Sequence, residues 1–183
     1  MKILSRILLC AFLSAISHAA VAQSKIPVSE ALDFWIANCE KEVVSAANAM
    51  PEEKYSFVPT AGEFTGARTF AQQLKHLAAN NYRMAAYILT QNPTPDQESE
   101  SGPSDVQSKA QIIDYLQGSF AALHRAMATI DERNMLEPLS RAPTKQNTRL
   151  QLAVDAVAHS YDHYGQVVEY LRLNHIIPPA SRK

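Results

Sequence analysis

The chain has 183 residues, with 17 Lys+Arg against 18 Asp+Glu, and it is 46% hydrophobic and 19% charged. That length suggests one domain, and the composition is that of an ordinary globular protein. A formal net charge of −1 argues against a surface that coats nucleic acid, and with only five glycines the chain contains neither a dinucleotide fingerprint nor a phosphate-loop motif.

Lys2 and Arg6 precede an apolar run from Ile7 to Ile16, which gives way to small residues ending in Ala20-Val21-Ala22. A basic start, an apolar stretch and an A-x-A site predict a secretory signal peptide over residues 1–22, cleaved before Gln23. The apolar run falls short of the roughly 20 residues that a membrane span needs. The expectation is therefore an exported protein, periplasmic or secreted, with no stable membrane span after cleavage. The mature chain keeps 15 Lys+Arg against 18 Asp+Glu, a net charge of −3, and Cys39 becomes its sole cysteine. No internal disulfide can form, and Cys39 reads as a small buried hydrophobe on a helix. Residues 23–183 are long enough to bury a core without staples.

Four segments show the three-four spacing of amphipathic helices. Segment 28–50 carries Leu32, Trp35, Ile36, Cys39, Val43, Ala46, Ala47 and Met50, with Ser29 as the expected cap and Pro51 as the stop. Segment 69–90 carries Phe70, Leu74, Leu77, Met84, Ala85 and Ile88, with Thr69 as its cap. Segment 108–131 carries Ile112, Ile113, Leu116, Phe120, Leu123, Met127 and Ile130, with Ser108 as its cap. Segment 147–174 carries Leu150, Leu152, Val154, Val157, Val167, Val168 and Leu171, and Pro178 and Pro179 close it. Residues 51–68 are long enough to cross one end of a bundle. Residues 91–107, polar and rich in Pro, Ser and Glu, read as an exposed loop, and 133–146 as a second irregular stretch. Strand alternation is weak throughout. The fold class is all-α, a four-helix bundle with long irregular connections.

The histidines are unevenly placed. His159 and His163 are four apart on the last helix, so they differ by about 40° in direction and one turn in height. Metal-binding helices use that spacing when two imidazoles share one ion. His76 lies on the second helix, on a stripe with Thr69, Gln72, Asn80, Arg83 and Tyr87, and the His159/His163 stripe also holds Leu152, Asp155, Gln166 and Tyr170. Two such stripes facing each other in a bundle line a cavity or groove. Three neutral imidazoles plus solvent make an open, reactive metal site, and this nitrogen set disfavours Mg²⁺ and Ca²⁺. Arg83 is a candidate to hold an anionic substrate, with Asn80, Gln166 and Tyr170 as further candidates on the two stripes. Asp155 and Asp162 could orient a histidine Nδ1–H or be solvated charges, and Gly165 could allow close helix approach. His124 shows no pattern of polar partners, and His175 ends the last helix, where it can interact with the helix dipole.

Three stretches are similar to the DinB-like superfamily of small metal-binding four-helix proteins. Residues 64–78, FTGARTFAQQLKHLA, look like that family's entry into its second helix, ending in a metal histidine. His159-Ser160-Tyr161-Asp162-His163-Tyr164-Gly165-Gln166 is similar to its H-x-x-x-H-x-G-Q. Asn174-His175-Ile176-Ile177-Pro178-Pro179-Ala180-Ser181 resembles the tail of many members. The resemblance implies that His76, His159 and His163 ligate one divalent metal, nickel or zinc ahead of iron or manganese, and that the protein is a homodimer. It further implies a metal-dependent enzyme, hydrolase or thiol-transferase-like, acting on a small molecule. A non-catalytic or stress-related bundle with a structural metal is the alternative. H-E-x-x-H is absent, which counts against peptidase chemistry.

Overall fold

The computed structural model describes residues 25–60, 62, 65–142 and 147–182; the expected signal peptide lies outside the described residues. Four long helices carry the fold: α1 Val28–Ala49, α2 Phe70–Ile88, α4 Lys109–Met127 and α5 Arg149–Leu173, with a single short turn, α3 Pro95–Glu98, between the second and third of them. No strand is present among the described residues; one isolated bridge joins Pro138 to Thr148. No helix is long and apolar enough to cross a membrane, among the same residues.

The helix starts follow local chemistry. Thr69 with Gln72, Ser108 with Gln111 and Thr148 with Gln151 each form a reciprocal capping box, which satisfies two backbone donors at each start. The first helix departs from expectation. Pro27 precedes it, no side chain caps it, and Ser29 lies inside its first turn. Two helices end alike. The amides of Thr90 and Gln91 return to Tyr87 and Ala86, and those of His175 and Ile176 return to Arg172 and Leu171. That double bond is the Schellman pattern, which places its turning residue in the left-handed region. Thr90 and His175 sit there with φ of 57° and 60°, where glycine would be free of cost.

Adjacent helices are α1 with α4 and α5, and α2 with α4 and α5. The order around the bundle is thus α1–α4–α2–α5, and the connections from α1 to α2 and from α4 to α5 both cross a diagonal. That accounts for their length. The core is built from Ile36, Val43, Phe70, Leu74, Leu77, Leu116, Phe120, Leu123, Val167 and Leu171, all fully buried. Cys39 is buried and free, and burial pushes its thiol up to about 11. Trp35 and Val154, expected on apolar faces, are instead 51% and 54% exposed. With Leu32, Val157, Ala158 and Tyr161 they line a shallow groove between α1 and α5.

Two residues differ from expectation. His124 has partners on both ring nitrogens: Nδ1 lies 2.5 Å from Asp33 and Nε2 3.1 Å from Glu40. Burial works against its charge, but the hydrogen bonds to the two carboxylates outweigh burial and hold the ring's pKa above its ordinary value. Close helix approach belongs to Gly118, not Gly165. A methyl at Gly118 would collide with the Tyr82 hydroxyl, whereas one at Gly165 would meet nothing.

Candidate metal centre

The two polar stripes meet as an antiparallel zipper between α2 and α5. Tyr170 pairs with Arg68, Gln166 and His163 with Gln73, and His159 with His76 and Asn80. On α2 the site residues fall at 73, 76, 80 and 83, and on α5 at 159, 163, 166 and 170. Steps of three and four keep each set on one helix face.

At the centre, His159 Nε2 lies 3.3 Å from His76 Nε2 and 3.1 Å from His163 Nε2. The three rings offer one nitrogen each within 4.8 Å of one another. A tetrahedral ion with bonds of about 2.0–2.1 Å sets its ligand nitrogens about 3.3 Å apart, and the two edges at His159 match that spacing. His76 and His163 are buried. Burial drives the ring of His163 down to about 3 and that of His159 to about 4, and the neighbouring imidazoles push in the same direction. Burial also lowers His76, opposed by its hydrogen bond to the Glu100 carbonyl. All three rings are therefore neutral at pH 7, the form that binds metal.

The outer nitrogens are held. His76 Nδ1 donates to the Glu100 carbonyl at 2.9 Å. His163 Nδ1 donates to Gln73 Oε1 at 2.7 Å. Gln73 Nε2 in turn donates to Gln166 Oε1, and Gln166 Nε2 donates to Asp162. This relay fixes Gln73 as the acceptor and leaves the lone pair of His163 on Nε2, facing the centre. Such outer partners set ring tautomer and ligand basicity. At His159 the arrangement differs. Arg83 donates to Asn80 Oδ1 at 2.6 Å, so the Asn80 amide group faces His159 Nδ1 at 3.1 Å. A cation at all three Nε2 atoms requires the His159 proton on Nδ1, and so requires that amide to turn.

The residues expected around the site are thus distributed as follows. Asn80 is buried against His159. Arg83 is tied to Asn80 and faces Glu100 at 4.0 Å. Gln166 and Tyr170 line a cavity of about 520 Å³ with Arg68, Gln73 and Glu169, and the Tyr170 hydroxyl donates to the Arg68 carbonyl. Asp162 is hydrogen-bonded to Gln166, at the outer end of the Gln166–Gln73 relay.

Three contributors escape the sequence reading. Gln73, not Gln72, belongs to the site; Gln72 is consumed by the Thr69 capping box. Its signal was present, since 73 lies three before His76. Arg68 lies one residue before the helix cap. Glu100 comes from the polar loop after α3, which is anchored to α2. Gly102 takes a φ of +66°, and a Cβ there would lie 3.1 Å from the Lys75 carbonyl. That close contact seats Glu100 over the neighbouring His76.

A sequence profile of the DinB superfamily matches residues 36–167, which include all three histidines. Among solved structures, a conserved protein from Enterococcus faecalis superposes with a TM-score of 0.66 at 17% identity, covering 81% of this chain and 98% of its own. At that identity the likeness speaks for the fold. No curated protein matches the chain.

Proposed function

The chain belongs to the DinB superfamily, and from that premise we propose that it is an exported metal-dependent enzyme, hydrolase or thiol-transferase-like, holding one divalent ion on His76, His159 and His163. The observation that carries this reading is the convergence of three neutral imidazole nitrogens, with edges of 3.1 and 3.3 Å; a cavity adjoins them through Gln73, the hydrogen-bond partner of His163. Three protein ligands leave a coordination position for solvent or substrate, the mark of a reactive site as opposed to a structural one.

An ion bound there supplies Lewis acidity, polarising a substrate oxygen and lowering the pKa of a bound water or thiol. The chain's own residues prepare the place. Glu100 and Gln73 hold two rings by their outer nitrogens, burial keeps the rings neutral, and Arg83 brings positive charge to the edge of the cluster. Gln166 and Tyr170 line the space in which a small molecule fits. The structural alternative draws on the same geometry, because the histidines come from two helices that a closed metal shell would tie together.

X-ray absorption at the metal edge separates these readings. The enzyme reading expects three nitrogen ligands plus oxygen that added azide displaces. A closed four-ligand shell indifferent to azide supports the structural metal and contradicts the enzyme. Export rests on the basic, apolar, Ala20-Val21-Ala22 leader; its test is the amino terminus of the protein recovered from culture, expected at Gln23. Homodimerisation is supported by the apolar groove around Trp35 and Val154. It predicts a dimer by light scattering that Trp35→Glu dissociates.

A further inference from the structure

The Glu100 carboxylate lies between two arginines at the mouth of the histidine cluster. Its Oε2 is 3.1 Å from Arg68 and 3.2 Å from His76 Nδ1, and its Oε1 is 4.0 Å from Arg83. Both guanidinium groups are near enough to the rings to depress them electrostatically. Arg83 is largely enclosed, and its Nε is buried with no hydrogen-bond partner. A buried donor left unsatisfied in this way calls for an explanation. Glu100 itself is 66% exposed, and an exposed ion pair contributes little to stability. Its carboxylate is also dispensable to the ring beside it, because His76 Nδ1 makes its shorter contact, 2.9 Å, to the Glu100 backbone carbonyl. Arg68 belongs at once to this pair and to the wall of the 520 Å³ cavity.

We propose that Arg68 and Arg83 form the seat for the carboxylate group of a small-molecule ligand of this site, and that Glu100 occupies the seat as a stand-in which the ligand displaces. The ligand's carboxylate then lies between the guanidinium groups, and its body extends from Arg68 into the cavity lined by Gln166 and Tyr170. The class follows from the occupant: the two arginines already embrace a single carboxylate, each facing one of its oxygens. Bidentate or paired arginine contacts are the usual means of fixing such a group. The proposal rests on the reading that the site takes a small molecule, but the seat itself needs no metal.

The test uses succinate as probe on the mature chain, first metal-free and then metal-loaded, following the arginine Nε–H resonances by NMR. In wild-type protein succinate competes with Glu100. Glu100→Gln removes the competitor and keeps the backbone carbonyl, so succinate should bind about fivefold more tightly or better. Adding Arg68→Gln to that variant should abolish the gain, and Arg83→Gln likewise, while Arg83→Lys retains part of it and guards against misfolding. Succinamide should not bind. Unchanged succinate affinity in Glu100→Gln, or a gain that survives loss of both arginines, overturns the seat. Equal binding of succinamide does the same. Inorganic phosphate binding more tightly than succinate overturns the carboxylate assignment. Metal content of the same samples, measured separately, reports on the metal reading, so either idea can fail alone.

Discussion

Replacing Gln73 with leucine isolates the relay behind His163. The side chain is 3% exposed and makes two hydrogen bonds, accepting from His163 Nδ1 at 2.7 Å and donating to Gln166 at 2.8 Å. Leucine is of similar size and removes both. Gln166 is only partly buried, so water can replace its lost donor. His163 is 5% exposed, so its N–H is stranded, at a cost of about 1–3 kcal/mol. The ring is then free to turn or to change tautomer, and loss of such an outer partner weakens metal binding about 10–100-fold, equivalent to about 1.4–2.7 kcal/mol. Competition against a chromophoric chelator measures the affinity, and thermal melting of the metal-free protein measures the stability. Gln73→Glu keeps the acceptor and should retain wild-type affinity or better. Wild-type affinity in Gln73→Leu would show that the relay does not hold the ring and would refute the reasoning.

The remaining predictions concern protons and backbone. In the metal-free protein, His159 and His163 have pKa values of about 4 and about 3 against an ordinary 6.5. Their neutral forms stabilise the fold fully above pH 6.5, and the contribution is lost as pH falls toward those values. Chemical denaturation from pH 7 to 4.5 should show stability falling with a slope of up to about 2.7 kcal/mol per pH unit, and His159→Asn with His163→Asn should flatten it. Gly165→Ala should stabilise by up to about 1 kcal/mol, since a methyl there meets nothing and alanine favours the helix. Gly118→Ala must displace Tyr82 and should be less stable than Gly165→Ala by about 1–2 kcal/mol in urea titrations. Thr90→Gly should raise the melting temperature, because a β-branched residue holds φ at 57° at the end of α2; the gain expected is about 1 kcal/mol.

The bundle and its histidines were legible because helical periodicity is local. Leu74, Leu77, Phe120 and Leu171 announce their burial by spacing alone, and Thr69 and Ser108 mark two helix starts. His76, His159 and His163 were readable from the four-residue step on one helix and from the family's motifs. What escaped depends on long-range placement. Glu100 lies 24 residues from His76 and reaches it only because Gly102 lets the loop close on α2. His124 gains its carboxylates from α1, the neighbouring helix but 84 and 91 residues away in the chain. Trp35 follows the apolar period of its helix yet faces outward, because the stripe of α1 is wider than the core it covers.

Whether the three histidines hold an ion decides what this site can do. Elemental analysis of untagged mature protein, wild type beside His163→Ala, asks this most directly. About one divalent metal per chain in the wild type and none in His163→Ala is the predicted result. Full metal occupancy in His163→Ala, or a wild-type protein without stoichiometric metal, would contradict it.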